Sequence, residues 1–337
     1  MMMQPNPAGR PAPVPGEAPL LSVDNLCVSI RVDDRSVNIV DGVSFSIRRG
    51  ERVALVGESG SGKSVTARAL MRLERRMKAT GSIVCDGRDI LKLSDGEMRR
   101  VRGGTIGMVF QDPMSFLDPL RTIGDQIAET LRIRGVSRRD AERKALHILD
   151  ELKVERAAER LTAYPHEFSG GMRQRVVLAM ALIGDPRLLI ADEPTTALDV
   201  RVQDQVLALL DEISRSRGLS VLFITHDLGI VAGFADRVMV MYAGSVVEDG
   251  DVYSTFAAPR HPYTRGLLDA VPRIDRDSDR LASIRGTPPH VFARPQGCPF
   301  HPRCDRAFER CVIERPVLRE LGGMRVACHR PEPEAAR

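Results

Sequence analysis

No stretch of this sequence approaches the ~18 consecutive apolar residues of a membrane-spanning helix. Residues 1–19, "MMMQPNPAGRPAPVPGEAP", also lack the apolar core of a secretory signal, and their Pro, Gly and Ala content predicts a disordered leader. The expected compartment is therefore the cytoplasm. An excess of one charge is missing too. The chain has 49 Lys and Arg against 45 Asp and Glu, and a net charge of +4 does not by itself imply nucleic acid. Arginine outnumbers lysine and is scattered, which reads as solvated surface. Aromatic residues make up 4%, with no tryptophan, and "RVDDRSVNIV" (31–40) contains none. Cysteine is sparse before the C-terminal region: only Cys27 and Cys85 occur, and they read as isolated buried or neutral thiols.

What is present is core material. Hydrophobic residues reach 43% and charged residues 28%, as in a soluble globular protein, and 337 residues allow one large or two moderate domains. Residues 20–32 and 37–47 alternate apolar and polar positions as half-buried strands do. "RVALV" (52–56) is a buried-strand run leading straight into "GESGSGKS" (57–64). Helical spacing follows over 64–73, then a hairpin with an Asp-Gly turn over 82–90 and a strand over 105–110. Residues 123–161 carry helical spacing, with Ser137 and Asp140 as a capping start, and the insertion opens into a helix over 170–183. "LLIA" (188–191) and "VLFIT" (221–225) are short apolar strands flanking helical spacing at 200–214. "RVMVMYAGSVVEDG" (237–250) reads as a final hairpin. This alternation predicts an α/β fold with a mainly parallel sheet. Beyond residue 255 the chain is rich in Pro, Arg and His, and is expected to form a separate small region.

Four predicted strands end at chemically suggestive residues: Gly57, Gln111, Asp192 with Glu193, and His226. Ligands of open α/β sheets bind outside the carboxyl ends of the strands, so these residues should converge. "GESGSGKS" fits G-x-x-x-x-G-K-[ST] without exception. Its glycines let backbone N–H groups wrap phosphates, Lys63 reaches the β/γ oxygens and the Ser64 hydroxyl ligates Mg²⁺. Asp192 can hold Mg²⁺ through water, and Glu193 is placed to orient and activate an attacking water. His226, at a strand end in this constellation, reads as a γ-phosphate sensor. "FSGGMRQR" (168–175) reads as a second anion-seeking helix start, with Ser169 as N-cap.

In this order the motifs resemble the ATP-binding subunit of an ABC transporter. They are Walker A (57–64), the Q-loop (Gln111), the signature (Ser169, Gly170, Gly171), Walker B (188–193), the D-loop (Ala197, Leu198, Asp199) and the switch His226. "FQDPMSFLDP", "FSGGMRQR", "VMYAGSVVE", "HPYTRGLL" and "GCPFHPRC…VACH" are similar to the dipeptide/oligopeptide importer branch. The resemblance implies a P-loop NTPase, an ABC-type nucleotide-binding domain over 20–255. It would carry an antiparallel β subdomain, a helical subdomain at about 112–168 and a small Cys-containing extension at 256–337.

It also implies a site. Gly57, Glu58, Ser59, Gly60, Ser61, Gly62, Lys63, Ser64 and Val65 would hold ATP. Ser64, Gln111 and Asp192 would hold Mg²⁺, and Glu193, His226 and Gln111 would act in hydrolysis. Ser169, Gly170, Gly171 and Asp199 would serve the ATP of a second, head-to-tail cassette, in many relatives a non-identical sister. Two membrane permease subunits and an extracytoplasmic substrate-binding protein complete such systems, and the ATPase sits peripherally on the cytoplasmic face. No nucleic-acid partner is implied. Phe110, Met114, Phe116 and Leu117 are either docking surface for the permease or subdomain core. The family places an aromatic before Walker A to stack on adenine; here Arg35 or Val37 stands in its neighbourhood. The cargo is a peptide or another small solute such as a nickel chelate. DNA-repair and ribosome-associated ABC ATPases are disfavoured by the single cassette and short helical insertion.

Cys298, Cys304, Cys311 and Cys328 follow no zinc-finger spacing. Four thiols in a short Pro-rich region suit a [4Fe–4S] cluster, zinc or plain free thiols, with His301 and His329 as alternative ligands. Some importer ATPases resembling this one are thought to hold a cluster there.

Overall fold

The computed structural model describes residues 18–32, 35–74, 76–112, 116–195, 199–271 and 284–332. Most of the predicted leader, Met114, and Ala197 with Leu198 of the D-loop lie outside the described residues. The alternating segments form antiparallel β1 (Leu21–Val32) and β2 (Arg35–Ile47). β3 (Arg52–Val56) is buried throughout, and the glycine loop after it opens α1 (Lys63–Leu70). This helix stops short of the predicted end because the chain turns at Arg72, where φ is 48°. β4 (Met77–Cys85) then turns through Asp86 and Gly87, both at positive φ, into β5 (Arg88–Asp89). Strands β2-β1-β4-β5 make one four-stranded sheet. Ser94 and Glu97 close a capping box on α2 (Asp95–Val101), and β6 (Ile106–Val109) follows.

The helical insertion comprises α3 (Ile123–Ile133), α4 (Arg138–Glu151) and α5 (Ala157–Arg160). The Thr122 and Ser137 hydroxyls accept first-turn N–H groups of α3 and α4. α6 (Gly170–Leu182) shares one core with them, including Ile127, Leu149 and Val176. β7 (Leu188–Asp192) leads to α7 (Val200–Arg217), which outruns the predicted end and stops at Gly218 in the left-handed region. Then come β8 (Ser220–Thr225), α8 (Leu228–Phe234), β9 (Arg237–Tyr242) and β10 (Ser245–Asp251).

Neighbouring residues of β7 and β8 face opposite cores. Leu189, Ala191, Val221 and Phe223 pack with the helical insertion; Leu188, Ile190, Leu222 and Ile224 pack toward the antiparallel sheet. Burial on both faces explains why these strands read as continuous apolar runs.

The C-terminal chain forms α9 (Val252–Ala257), α10 (Pro262–Asp269), α11 (Glu309–Ile313), β11 (Arg319–Leu321) and β12 (Met324–Val326). The main sheet runs β11-β12-β10-β9-β3-β8-β7-β6. The extension therefore does not stand apart as the sequence suggests. β12 pairs antiparallel with β10, and Asp249 of β10 is held by Arg237 and Arg325. Tyr263, Leu268, Phe300, Cys298 and Cys311 share an apolar cluster with Val56, Val240 and Tyr242 of the sheet. A Pro-rich segment with few apolar residues gains its core by sharing one.

The reading of arginine as solvated surface also needs correction. The Arg52 side chain is 2% exposed, pairs with Asp211 and Asp236, and lies over the Phe234 ring at 5.0 Å. Scattered spacing along the chain says nothing about pairing across it.

Candidate nucleotide-binding site

β9, β3, β8, β7 and β6 are mutually parallel, so their carboxyl ends lie along one sheet edge. Gly57 leaves β3 with φ 151°, and a Cβ there would sit 2.2 Å from the Met241 carbonyl oxygen, so only glycine fits. The loop then exposes Ser59 and Gly60 and turns back inward at Ser61 and Gly62. The Ser61 hydroxyl is buried with no hydrogen-bond partner among the described residues. Val65 is part-buried against the core beneath.

Lys63 begins α1. Its Nζ donates to the carbonyls of Gly57 at 2.7 Å and Glu58 at 3.0 Å. Burial pulls its pKa down most strongly, while the carboxylates of Glu193, Asp192 and Glu58 pull it back up. Ser64 Oγ donates to Asp192 Oδ1 at 2.9 Å, which joins two of the predicted Mg²⁺ ligands. Burial raises the Asp192 pKa, against the lowering effect of that hydrogen bond and of Arg68. A cation arriving there would favour the ionised form. The donor set, a hydroxyl, a carboxylate and the nearby Gln111 amide, suits a hard oxygen-seeking ion such as Mg²⁺.

Glu193 has φ 48°, a left-handed conformation uncommon outside glycine. Its N–H donates to the Ile224 carbonyl at 2.9 Å, which fixes the chain there. Its carboxylate accepts from Gln111 Nε2 at 3.1 Å and lies 3.3 Å from His226 Nδ1. Gln111, Glu193 and His226 thus meet, as strand polarity predicts. The His226 side chain is 64% exposed, while that of Glu193 is 14% exposed.

The signature residues lie elsewhere. Ser169 caps the thirteen-residue α6, its Oγ accepting the Met172 N–H at 3.4 Å, and both Ser169 and Gly170 are exposed. A Cβ on Gly171 would come 2.7 Å from Val202 of α7, so glycine sets how closely the two helices approach. No hydrogen bond among the described residues joins 169–171 to the 57–64 loop. Asp199 caps α7, its carboxylate accepting the Val202 N–H at 3.0 Å. Phe116 is exposed and stacks on Phe110 at 4.4 Å, whereas Leu117 joins the core, so the predicted patch divides between surface and interior.

The sequence reading missed two residues. Tyr263 Oη accepts the Glu58 N–H at 2.8 Å, and Arg303 pairs with the Glu58 carboxylate at 2.6 and 3.0 Å. Both lie inside the quoted stretches "HPYTRGLL" and "GCPFHPRC", the available signal.

The four C-terminal thiols are free and line one narrow cavity with His261, His301 and His329. Burial pushes the Cys298 thiol up to about 11 and raises those of Cys304 and Cys328. Among the described residues, no group of three or more His, Cys, Asp or Glu is gathered for a metal ion. The expectation of a metal centre is not supported by that geometry.

A family profile described as "ABC transporter" matches residues 40–196, and one described as "Oligopeptide/dipeptide transporter, C-terminal region" matches residues 247–311. The oligopeptide transport ATP-binding protein OppD of Salmonella typhimurium is 46% identical, over 96% of this chain and 97% of its own length. The dipeptide transport ATP-binding protein DppD of Bacillus subtilis is 50% identical, over 87% of this chain and 88% of its own. Among solved structures, an ATP-binding cassette captured as a dimer in a post-hydrolysis state with ADP and Pi is similar. Its TM-score is 0.61 at 28% identity, covering 69% of this chain and 98% of that one.

Proposed function

Because the chain belongs to the ABC transporter ATP-binding proteins, in their oligopeptide/dipeptide branch, we propose that it hydrolyses ATP to power peptide import through a membrane-embedded permease. The Walker A loop wraps the phosphates with its N–H groups, and Lys63 turns its ammonium from the loop carbonyls to the β/γ oxygens. Ser64, Asp192 and Gln111 would hold Mg²⁺, which neutralises charge on the phosphates. Glu193 orients the attacking water and takes its proton; His226 contacts the γ-phosphate; Gln111 couples the site to the helical insertion.

The observation that carries this reading is the meeting of Gln111, Glu193 and His226 beside the Ser64–Asp192 pair. Glu193→Gln keeps the side chain's size and one acceptor oxygen but removes the base. It should bind ATP normally and lose at least about a hundredfold in turnover. Turnover at the wild-type rate would refute the assignment.

The exposed start of α6 has an N-terminal dipole and, among the described residues, no hydrogen bond to its own 57–64 loop. We assign it to the ATP of a second cassette, a sister subunit, packed head to tail. The pair would sit on the cytoplasmic face under two permease subunits, served by an extracytoplasmic substrate-binding protein. Among the described residues no helix is long and apolar enough to cross a membrane, which fits a peripheral place. The cargo touches those other subunits, so peptide length and the nickel-chelate alternative are decided outside this chain.

One observation favours a further cofactor reading: all four C-terminal cysteines line a single cavity. Cysteine-only ligation of this kind suits a [4Fe–4S] cluster. When bound, the cluster would pin the extension. Protein purified anaerobically should then be brown, with iron and broad visible absorbance. Colourless, iron-free protein with four titratable thiols in this region would remove the idea.

A further inference from the structure

The structure assigns to Arg303 of the C-terminal extension a positioning role in nucleotide binding: it neutralises and holds Glu58 of the Walker A loop. This rests on the reading of that loop as the ATP site. Glu58 places a carboxylate in a loop that must receive a triphosphate of the same sign. In the simplest electrostatic view such a residue opposes the ligand.

Arg303 removes that opposition. Its Nη1 reaches Glu58 Oε2 at 2.6 Å and Nη2 reaches Oε1 at 3.0 Å, a bidentate fork. The arginine is itself locked. Its Nε donates to the Arg285 carbonyl at 2.9 Å, its guanidinium lies near the Tyr242 and Phe300 rings, and its side chain is 4% exposed. A second contact sets the backbone of the same residue, because the Glu58 N–H donates to Tyr263 Oη of α10. Tyr263 is buried against Tyr242 and Phe300, with ring centroids 4.6 and 5.4 Å away. The extension thus fixes both ends of Glu58, and with it the start of the loop that Lys63 closes through the Gly57 and Glu58 carbonyls. Cys304 follows Arg303 directly, so the cysteine cavity and the nucleotide loop share one short piece of chain.

Binding of Mg-ATP to the full chain, by titration calorimetry, tests this. Arg303→Met should raise Kd about tenfold, and Glu58→Gln added to it should bring Kd back to within about threefold of the wild type. If Arg303 were only a structural latch, the double variant would bind as poorly as Arg303→Met, and the inference would fall. Unchanged affinity in Arg303→Met would also overturn it. Arg303→Lys keeps the charge without the fork and covers the case where methionine prevents folding. It should lose two- to fivefold, recovered by Glu58→Gln, and no loss counts against the proposal. A wild-type chain that binds no ATP refutes the functional reading itself, a different outcome from any of these.

Discussion

His261 is buried, and its Nδ1 accepts the Tyr263 N–H at 3.0 Å at the start of α10. Burial pushes its pKa down to about 3 from an ordinary 6.5. The folded state therefore keeps it neutral, while the unfolded chain protonates near 6.5. Its contribution is complete above about 6.5 and is lost as pH falls through the interval toward 3. Glu248, which accepts the His261 N–H at 3.0 Å and whose pKa burial raises, works in the opposite sense. The melting temperature should thus drop between pH 7.5 and 5, and His261→Asn, which keeps a capping acceptor without the ionisation, should flatten that slope. An identical slope in the variant would count against this assignment. At this scale the phosphate-site residues were legible because they end apolar strands or, like Lys63 and Ser64, complete the glycine-loop pattern that follows one. The Glu193 backbone conformation, the Tyr263 contact and the Arg303 fork were not, since nothing local marks a φ of 48° or a partner 245 positions away.

α6 joins the two sides of the catalytic problem. Its first turn faces outward at Ser169, while the Gln174 amide one turn later donates to the Pro194 carbonyl, just past Glu193. A helix fixed at that point moves with its own Walker B segment. Ser169→Arg places a long cation where the helix start is open and touches nothing in the 57–64 loop. ATP affinity in the isolated chain should be unchanged, within about twofold, while turnover in the assembled pair should fall at least about tenfold. Loss of nucleotide binding by the isolated chain would contradict the assignment of this turn to a neighbour. Elements were legible in proportion to their length and burial. The run "RVALV" became β3 residue for residue, and the capping start at Ser137 opens α4. β11 and β12, three residues each, carry too short a pattern to be seen as strands. β12 takes its place by pairing with β10, and β11 by pairing with β12.

The whole molecule is one sheet with two kinds of cover, helical on one face and antiparallel strands on the other, extended at one edge by its own C-terminal chain. The proposed engine needs this cassette and a second one, its sister. If each site is completed by a neighbour's α6, Glu193→Gln mixed with the sister cassette should give ATP-dependent pairs that outlast those of the wild type in light scattering. A mixture that stays unpaired with saturating ATP would argue against that closure. The extension itself was legible, but its packing was not, because its apolar residues are few and its partners are strands completed earlier in the chain. Composition suggested independence where the fold uses a shared core.

That shared arrangement has a consequence in time. Glu58 is made early and Arg303 is 245 residues later. At roughly 5–20 residues per second, the ribosome needs about 12–50 s to travel between them. A nascent chain therefore carries its glycine loop long before the guanidinium that completes it has been synthesised, and the finished grip on Glu58 belongs to a polypeptide already grown past Arg303.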